Sequence, residues 1–454
     1  MWKEVKDREL GRIRPALLAN RVQSRRICSL ELANQKEIIS AHKGAVNSIQ
    51  IDLTEGRYLL SGASDGSAAV YDIQQATDYD GGGLVAKHKS LFVVDKQLEY
   101  GHQYGISSVS WYPVDTGLFV TGSFDHHIKV WDTNTTQVEI QFKLPGKVHG
   151  VAMSSVSTTH MLIAAGTEDV QVRLCDMASG AFTHTLSGHR DGVWALHWSA
   201  SNEWTLATGG CDGSIRFWDI RRAGCFRVLD QLESQTGRRP PIPKSSTAKA
   251  KKPPASSNCT STKARAAQRK GSLGNGIQSS MSLGKGVTRG SLSQRQHPGM
   301  LSTQNRATAH YGAVTGLEMT NDGLHLFSAG TDSRLRLWDV ESGCNTLVNY
   351  EATRIRPSKA IQLAVTPNSS LVFVPCLTSI KAYDVWSGRL FSTYHGHYDF
   401  VNCCSFNSQD QELYSGSNDR QILIWSPPAV ISLEEDETPS RGPASLFDED
   451  NWSD

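Results

Sequence analysis

The sequence has no run of apolar residues that approaches the roughly 20 needed to cross a lipid bilayer. Its nine cysteines are scattered, and the one close pair, Cys403-Cys404, is adjacent rather than spaced as in a metal or redox motif. The first ten residues, MWKEVKDREL, lack the apolar core of a secretion signal. No phosphate-binding glycine loop is present. We therefore expect a soluble intracellular protein in a reducing compartment, with no cofactor and no metal.

Acidic residues are missing from residues 234–306, which hold 14 Lys or Arg and no Asp or Glu. This segment is rich in Ser, Gly, Pro and Ala, and such a composition cannot bury enough apolar surface to offset the entropy of ordering. We therefore predict a disordered basic insertion. Two basic clusters inside it have the pattern of a nuclear localisation signal: Lys249, Lys251, Lys252, Lys263, Arg265, Arg269 and Lys270. The alternatives are a solvated loop and direct nucleic-acid contact, and the loop's lack of stacking aromatics disfavours the latter.

The sequence does contain one unit that recurs seven times. The units end at positions separated by 60, 44, 43, 120, 45 and 42 residues: Asp72, Asp132, Asp176, Asp219, Asp339, Asp384 and Ser426. Four of these intervals match the roughly 40–45 residues of a four-stranded propeller blade, and insertions account for the other two. The fullest units read Gly-His, an apolar strand, a [Ser/Thr]-Gly-x-x-Asp turn and a second strand ending in Trp-Asp. This pattern resembles the WD-repeat family.

The resemblance implies an all-β fold, a seven-bladed β-propeller with a short N-terminal helical segment. Residues 1–27 would form a helix-loop-helix, and 28–233 would hold four blades and a closing strand at Cys28–Leu32. The basic insertion 234–306 would then precede three blades at 307–426 and an acidic flexible tail at 427–454. Closure is expected because a closed ring removes the exposed edges of its sheets.

In the WD-repeat family, a His, a Ser or Thr, the turn Asp and the Trp form one hydrogen-bonded set within a blade. Four complete sets match that pattern: His102, Thr121, Asp125, Trp131; His189, Thr208, Asp212, Trp218; His310, Ser328, Asp332, Trp338; and His397, Ser415, Asp419, Trp425. The turn Asp precedes the Trp position by six residues in six of the seven units. The first unit has Tyr71 in place of Trp, and the third and sixth lack the Ser or Thr, so we expect those two to depend mainly on packing. These histidines and aspartates resemble catalytic residues, but we interpret them as structural.

An enzymatic alternative rests on the segment Gly62–Gly66, which matches the GxSxG nucleophile pattern with Ser64 at its centre. That motif requires a helix after the serine, whereas a strand is expected here. We therefore predict no catalytic residues. The histidine pairs His126-His127 and His395/His397 have no partners at zinc-site spacing and are interpreted as turn and blade residues.

One unit carries an extra feature, because Trp218-Asp219-Ile220-Arg221 places an arginine two residues after the terminal Asp. This resembles the WDxR box of substrate receptors that dock on damaged-DNA-binding protein 1, the adaptor of cullin-4 ubiquitin ligases. The resemblance implies an adaptor contact by a rigid guanidinium fork, and by a helix-loop-helix that precedes the first blade. The implied adaptor-binding residues are Trp218, Asp219, Arg221, Leu10, Ile13, Leu17 and Leu18. The alternative is that Arg221 is one exposed member of a basic pair with Arg222.

Five further stretches are similar to receptors of this family that act in transcription-coupled nucleotide excision repair: Arg57–Gly66, Trp111–Thr135, Asp322–Trp338, Asn345–Tyr350 and Gln411–Asp419. The resemblance implies a non-catalytic, nuclear subunit of a cullin-4 ligase that responds to ultraviolet damage. Its implied partners are the adaptor, a Cockayne syndrome group B-type ATPase and the RNA polymerase II complex. The alternative is a general nuclear WD-repeat scaffold for chromatin or RNA-associated complexes.

Overall fold

The computed structural model describes residues 2–80, 82, 85–231, 308–355 and 359–428. The predicted insertion 234–306 and nearly all of the predicted tail lie outside the described residues, as do the seven basic residues of the nuclear localisation signal. Two helices begin the chain, α1 at Trp2–Glu9 and α2 at Pro15–Cys28. Pro15 occupies the first turn of α2, where its missing N–H breaks no helical bond. Neither helix is long and apolar enough to span a membrane.

The remaining described elements are β-strands, numbered here in chain order. The first eight are β1 (Glu31–Leu32), β2 (Lys36–Ile38), β3 (Val46–Ile51), β4 (Tyr58–Ala63), β5 (Ala68–Asp72), β6 (Asp78–Asp80), β7 (Val85–His88) and β8 (Ser90–Val94). The next twelve are β9 (Ile106–Trp111), β10 (Leu118–Ser123), β11 (His127–Asp132), β12 (Val138–Lys143), β13 (Val148–Met153), β14 (Leu162–Thr167), β15 (Gln171–Asp176), β16 (Ala181–Ser187), β17 (Val193–Trp198), β18 (Thr205–Gly210), β19 (Ile215–Asp219) and β20 (Cys225–Leu229). The last ten are β21 (Val314–Met319), β22 (His325–Gly330), β23 (Leu335–Asp339), β24 (Ala364–Val365), β25 (Leu371–Cys376), β26 (Ser379–Asp384), β27 (Leu390–His395), β28 (Val401–Asn407), β29 (Glu412–Ser417) and β30 (Ile422–Ser426).

Most of these strands follow one another as antiparallel sheets around a central channel. The first sheet is β3-β4-β5-β8, and the second to fourth are β9 to β12, β13 to β16 and β17 to β20. The fifth is β21-β22-β23, the sixth is β24 to β27, and the seventh is β28-β29-β30-β1. The first strand of each sheet lies next to the first strand of the following sheet and lines the channel.

The prediction of seven blades is wrong, because the strands form eight sheets. The eighth consists of β2, β7 and β6, in which β2 pairs with β7 in parallel and β6 with β7 antiparallel. Its hairpin carries two ion pairs, Lys87 to Asp80 at 2.6 Å and Lys89 to Asp78 at 3.1 Å. None of the repeat's characteristic residues marks these short strands, so the sequence showed only a long interval between Asp72 and Asp132. Across its described residues, the all-β propeller therefore contains eight sheets and two short helices.

The two ends of the propeller meet at the seventh sheet. Strand β1 pairs with β30 through Glu31 opposite Ser426 and Leu32 opposite Trp425. The closing strand is shorter than the predicted Cys28–Leu32 because Cys28 is the last residue of α2. Ile27 and Leu30 pack into a buried cluster that contains Tyr394, Leu371 and Trp425, so the end of α2 is anchored to the sixth and seventh sheets.

The repeated orientation of the strands gives the propeller two distinct faces. We call the upper face the one that carries the turns between second and third strands, where the turn Asp residues of the repeats lie. The lower face carries the loops between first and second strands and between third and fourth strands. The Arg26 side chain of α2 donates to the Asp410 carbonyl in the β28–β29 loop at 3.3 Å, so α2 lies against the lower face. Arg221, in the β19–β20 loop, lies on the same face.

Candidate functional site

The structure brings the members of each of the four predicted blade sets together. In the second sheet, His102 Nδ1 lies 2.7 Å from Asp125 Oδ2, and His102 Nε2 lies 2.7 Å from Thr121 Oγ1. Trp131 Nε1 donates to the same Thr121 oxygen at 2.8 Å. The other three sets repeat these contacts at 2.7–3.2 Å: His189, Thr208, Asp212, Trp218; His310, Ser328, Asp332, Trp338; and His397, Ser415, Asp419, Trp425.

The direction of each hydrogen bond in a set follows from the tryptophan. An indole N–H can only donate, so the Thr121 oxygen accepts from Trp131 and its own O–H donates to His102 Nε2. His102 Nδ1 therefore carries a proton and donates it to the Asp125 carboxylate. Burial lowers the pKa of His102. Burial also opposes ionisation of Asp125, but the hydrogen bonds from His102 and from the His127 N–H, together with the electrostatic interactions with these two residues, outweigh it, and the pKa of Asp125 falls to about 2. A buried neutral histidine and an ionised aspartate are thus fully bonded, which fits a structural role.

The first sheet completes its set by a route that the sequence did not reveal. His42 Nε2 lies 2.6 Å from Ser61 Oγ, as in the other sets, but His42 Nδ1 lies 2.6 Å from Ser67 Oγ rather than from the turn Asp. Ser67 in turn donates to Asp65 Oδ1 at 2.5 Å. The Tyr71 hydroxyl accepts from the Ala41 N–H at 3.0 Å. Ser67 is therefore the residue that joins His42 to Asp65, and its position two residues after the turn Asp was the available signal.

The two sheets without a Ser or Thr depend on other contacts. In the third sheet, Cys175 is buried at the Trp position and Asp169 lies 3.5 Å from Arg173. In the sixth sheet, the buried Tyr383 meets Tyr350 edge to face, with ring centroids 6.0 Å apart. Packing is thus the main contact in the sixth sheet, whereas the third sheet adds an ion pair.

Basic residues two positions before the Trp form a feature that sequence reasoning missed. In the fifth sheet, Arg336 Nη1 donates to Asp332 Oδ2 at 2.9 Å, and Arg336 Nη2 donates to Gln231 Oε1 at 3.1 Å. In the second sheet, Lys129 Nζ donates to the Tyr100 carbonyl at 2.6 Å. The signal was present in the sequence as a basic residue two positions before the Trp. These side chains stabilise the upper ends of their sheets.

Arg221 is held by its own sheet on the lower face. Its Nε donates to Asp219 Oδ1 at 3.0 Å and its Nη2 donates to Asp219 Oδ2 at 2.9 Å. The hydrogen bond from Arg221 is the main reason that the pKa of Asp219 is lowered. The Arg221 side chain is nevertheless 51% exposed, whereas the neighbouring Arg222 is 74% exposed and reaches Asp219 through a single 3.4 Å contact. The outward edge of the Arg221 guanidinium can therefore donate two further hydrogen bonds.

A cluster of aromatic rings from the neighbouring loops supports Arg221. The guanidinium lies over the Trp204 ring, 5.3 Å from its centroid. The His160 ring lies 5.1 Å from Trp204 and 5.4 Å from Trp198. His160 comes from the third sheet, so this ring cluster joins the lower loops of two sheets. These contacts limit the rotamers open to Arg221, which lowers the entropy lost when it binds a partner.

The other predicted adaptor-binding residues differ in their exposure. Leu10 and Leu17 are 57% and 47% exposed, and Ile13 is partly buried. Leu18 and Trp218 are buried, so neither offers its side chain at the surface. Trp218 belongs to the hydrogen-bonded set of the fourth sheet, and Asp219 is a buried partner of Arg221.

Comparison with known proteins assigns the repeats. The family described as "WD domain, G-beta repeat" matches residues 33–72, 95–132, 180–219, 302–339 and 388–426. The "WD repeat-containing protein ATCSA-1" of Arabidopsis thaliana is 60% identical over 456 residues, which cover 100% of both chains. The chain belongs to the WD-repeat family.

Two more distant relatives match this WD-repeat protein only in part. The "Radiation-sensitive protein 28" of Saccharomyces cerevisiae is 30% identical over 30% of this chain and 28% of its own length. The "Ribosome biogenesis protein WDR12 homolog" of Drosophila erecta is 26% identical over 42% of this chain and 45% of its own length. The full-length match makes the chain a WD-repeat protein of the ATCSA-1 type.

Proposed function

We propose that this WD-repeat protein is the non-catalytic substrate receptor of a cullin-4 ubiquitin ligase, and that it docks on damaged-DNA-binding protein 1. The observation that carries the proposal is Arg221, which is fixed by Asp219 and Trp204 with its outer guanidinium edge free on the lower face. A guanidinium held in this way suits paired, charge-assisted bonds to adaptor carboxylates or carbonyls. Leu17 belongs to α2, which lies against the same face, and Leu10 follows α1; both side chains are exposed and suit an apolar groove.

Sequence similarity supports a proposal for the biological setting of the ligase. The stretches Arg57–Gly66, Trp111–Thr135, Asp322–Trp338, Asn345–Tyr350 and Gln411–Asp419 resemble the Cockayne syndrome group A protein. The name of the full-length relative, ATCSA-1, agrees with this resemblance. We therefore propose a role in transcription-coupled nucleotide excision repair, with a Cockayne syndrome group B-type ATPase and RNA polymerase II as partners. Catalysis would belong to other subunits of the ligase.

Co-purification tests the receptor function. Full-length protein should retain the adaptor, and Arg221→Ala combined with deletion of residues 1–22 should lose most of it, because both proposed contacts are removed. The matched control is Arg222→Ala, which removes an exposed cation of the same loop without a paired contact to Asp219. Undiminished recovery of the adaptor by the combined variant would refute the proposal.

Nuclear localisation is proposed on the basis of the basic clusters in residues 234–306. Replacing Lys249, Lys251, Lys252, Lys263, Arg265, Arg269 and Lys270 by Ala should shift the protein from the nucleus to the cytoplasm in fluorescence microscopy. A matched variant with Arg289 and Arg295 replaced, outside the two clusters, should remain nuclear.

A second candidate is a nuclear WD-repeat scaffold for chromatin or RNA-associated complexes. It is favoured by the segment of 14 Lys or Arg without an acidic residue, and by the similarity to a relative named for ribosome biogenesis. Under this alternative, deleting residues 234–306 should abolish a salt-sensitive interaction with nucleic acid. Under the receptor proposal, the same deletion should leave adaptor binding unchanged.

A further inference from the structure

Trp386 is an exposed aromatic side chain on the lower face that no contact of the proposed receptor function uses. It lies in the loop between β26 and β27 and is 56% exposed. Among the described residues with large, exposed apolar side chains, it is the one tryptophan. Burying a side chain of this size stabilises a complex substantially, and tryptophan is enriched among the residues that dominate binding energies.

The position of Trp386 is fixed by the adjacent sheet. The His325 ring, at the start of β22, meets the Trp386 ring edge to face at an angle of 87°, with centroids 5.0 Å apart. Leu324, next to His325, is 52% exposed. The lower loops of the fifth and sixth sheets therefore present a small apolar patch, consisting of Leu324 and Trp386 with His325 beneath.

The patch lies between the two elements proposed to contact the adaptor. Arg221 belongs to the fourth sheet, Leu324 to the fifth and Trp386 to the sixth. The end of α2 is anchored beside the sixth and seventh sheets through Ile27. A partner that reaches from Arg221 to the helices along this arc of the lower face would therefore cover Leu324 and Trp386.

We infer that the Leu324–Trp386 patch is an apolar contact for damaged-DNA-binding protein 1, an inference that rests on the proposed function. The partner surface that fits is apolar, because neither exposed residue of the patch carries a charge or can accept a hydrogen bond through its side chain. Arg221 would supply the charged contact with the adaptor, and the patch would supply the apolar contact from which water is excluded. This division is typical of interfaces in which a few buried anchors dominate the affinity.

The test measures the affinity of purified full-length protein for purified adaptor by calorimetry. Trp386→Ala should weaken binding about ten-fold or more, because it removes a buried anchor. The matched control is Tyr398→Ala, since Tyr398 is 73% exposed but lies at the start of the seventh sheet on the upper face. The control should change affinity less than about two-fold. The affinity of Trp386→Phe for the adaptor should lie between those of the wild type and Trp386→Ala. The thermal unfolding midpoint of each variant should match that of the wild type.

Hydrogen exchange gives a readout that does not depend on any substitution. Adaptor binding should slow exchange at residues 320–325 and 385–389 of the wild-type chain, which flank the patch. Suppose that Arg221→Ala weakens adaptor binding, that Trp386→Ala binds the adaptor as tightly as Tyr398→Ala, and that exchange at these loops is unchanged by the adaptor. The patch inference is then overturned and the receptor function stands. If neither substitution affects adaptor binding, the proposed function itself fails. Concentration-dependent self-association that Trp386→Ala abolishes would assign the patch to a second copy of the chain and would also overturn the inference.

Discussion

The Asp219 carboxylate binds the Arg221 guanidinium through both of its oxygens, to Nε at 3.0 Å and to Nη2 at 2.9 Å. The same carboxylate accepts the Arg221 backbone N–H at 3.0 Å, so the loop and the side chain are fixed together. An arginine that is already ordered loses less entropy when it binds. Asp219, the terminal Asp of the fourth repeat, therefore stabilises the loop backbone and also orients the Arg221 side chain.

Asp219→Asn should weaken adaptor binding about three- to ten-fold without unfolding the propeller. The amide keeps one oxygen for the Arg221 backbone but removes the charge that aligns the guanidinium, and a charge-assisted bond is worth more than a neutral one. Asp132→Asn is the matched control, because Asp132 occupies the same repeat position but bonds Asn134 and Thr135 instead of an arginine. Equal affinities for both variants would show that the Asp219–Arg221 pair has no part in binding.

Trp204→Ala should reduce adaptor affinity, but less than Arg221→Ala does. The substitution removes the ring beneath the guanidinium while leaving both hydrogen bonds to Asp219, and an exposed cation–π contact contributes about 0.5–1 kcal/mol. Val114→Ala serves as a control, since Val114 is exposed in the corresponding lower loop of the second sheet. Titration with purified adaptor measures the difference. An affinity equal to that of the Val114 variant would exclude a supporting role for Trp204.

Stability should fall between about pH 6.5 and pH 4 because of buried histidines. Burial lowers the pKa of His42 to about 4, against the attraction of Asp65, so the folded state holds this ring neutral. The unfolded chain binds a proton at its ordinary pKa of about 6.5, so stability is complete above that pH and declines as pH falls toward 4. At about 1.4 kcal/mol for each pKa unit, His42 accounts for a loss of about 3 kcal/mol.

His42→Gln, which cannot titrate, isolates this contribution. The variant should be less stable at pH 7.5, but its free energy of unfolding should fall less steeply than that of the wild type from pH 6.5 to 4. Denaturant titrations at several pH values measure both slopes. Parallel slopes for the two proteins would contradict a lowered pKa for His42.

Ser67→Ala should destabilise the protein by about 1–3 kcal/mol. It leaves His42 Nδ1 without its partner in a site where Ser67 is buried, and it removes one of the two hydrogen bonds that Ser67 donates to Asp65 Oδ1. Ser64→Ala is the matched control, because Ser64 is exposed in the same turn and its side chain donates no hydrogen bond to the described residues. Thermal or denaturant unfolding checks the prediction. A Ser67 variant as stable as the Ser64 variant would mean that the first sheet does not need the bridge.

The repeat made much of the propeller predictable from the sequence. A six-residue interval from turn Asp to Trp recurs in the sequence, and each complete set folds into the same hydrogen bonds, as His102, Thr121, Asp125 and Trp131 show. The Ser67 bridge was harder to foresee because Ser214 has the same position in the fourth sheet, where His189 Nδ1 still contacts Asp212 directly. Only the structure shows that the Ser67 hydroxyl lies between His42 Nδ1 and the Asp65 carboxylate.

The eighth sheet could not be predicted from local sequence patterns. Its parallel pair joins Lys36–Ile38 to residues 86–88, and such pairing depends on how two distant segments meet rather than on residues within either strand. The candidate site was predictable only in part for a similar reason. Arg221 was visible as a motif, but its support by Trp204 and His160 comes from loops of two sheets, and the burial of Leu18 depends on packing around the helices.

The dissociation constants of purified adaptor for Arg221→Ala and for Arg222→Ala decide whether Arg221 docks the protein on the adaptor. The two arginines are neighbours in one loop, but only Arg221 is fixed by paired bonds to Asp219. We expect Arg221→Ala to weaken binding about ten-fold or more and Arg222→Ala to change it less than about two-fold. Equal dissociation constants for the wild type and Arg221→Ala would show that Arg221 does not bind the adaptor.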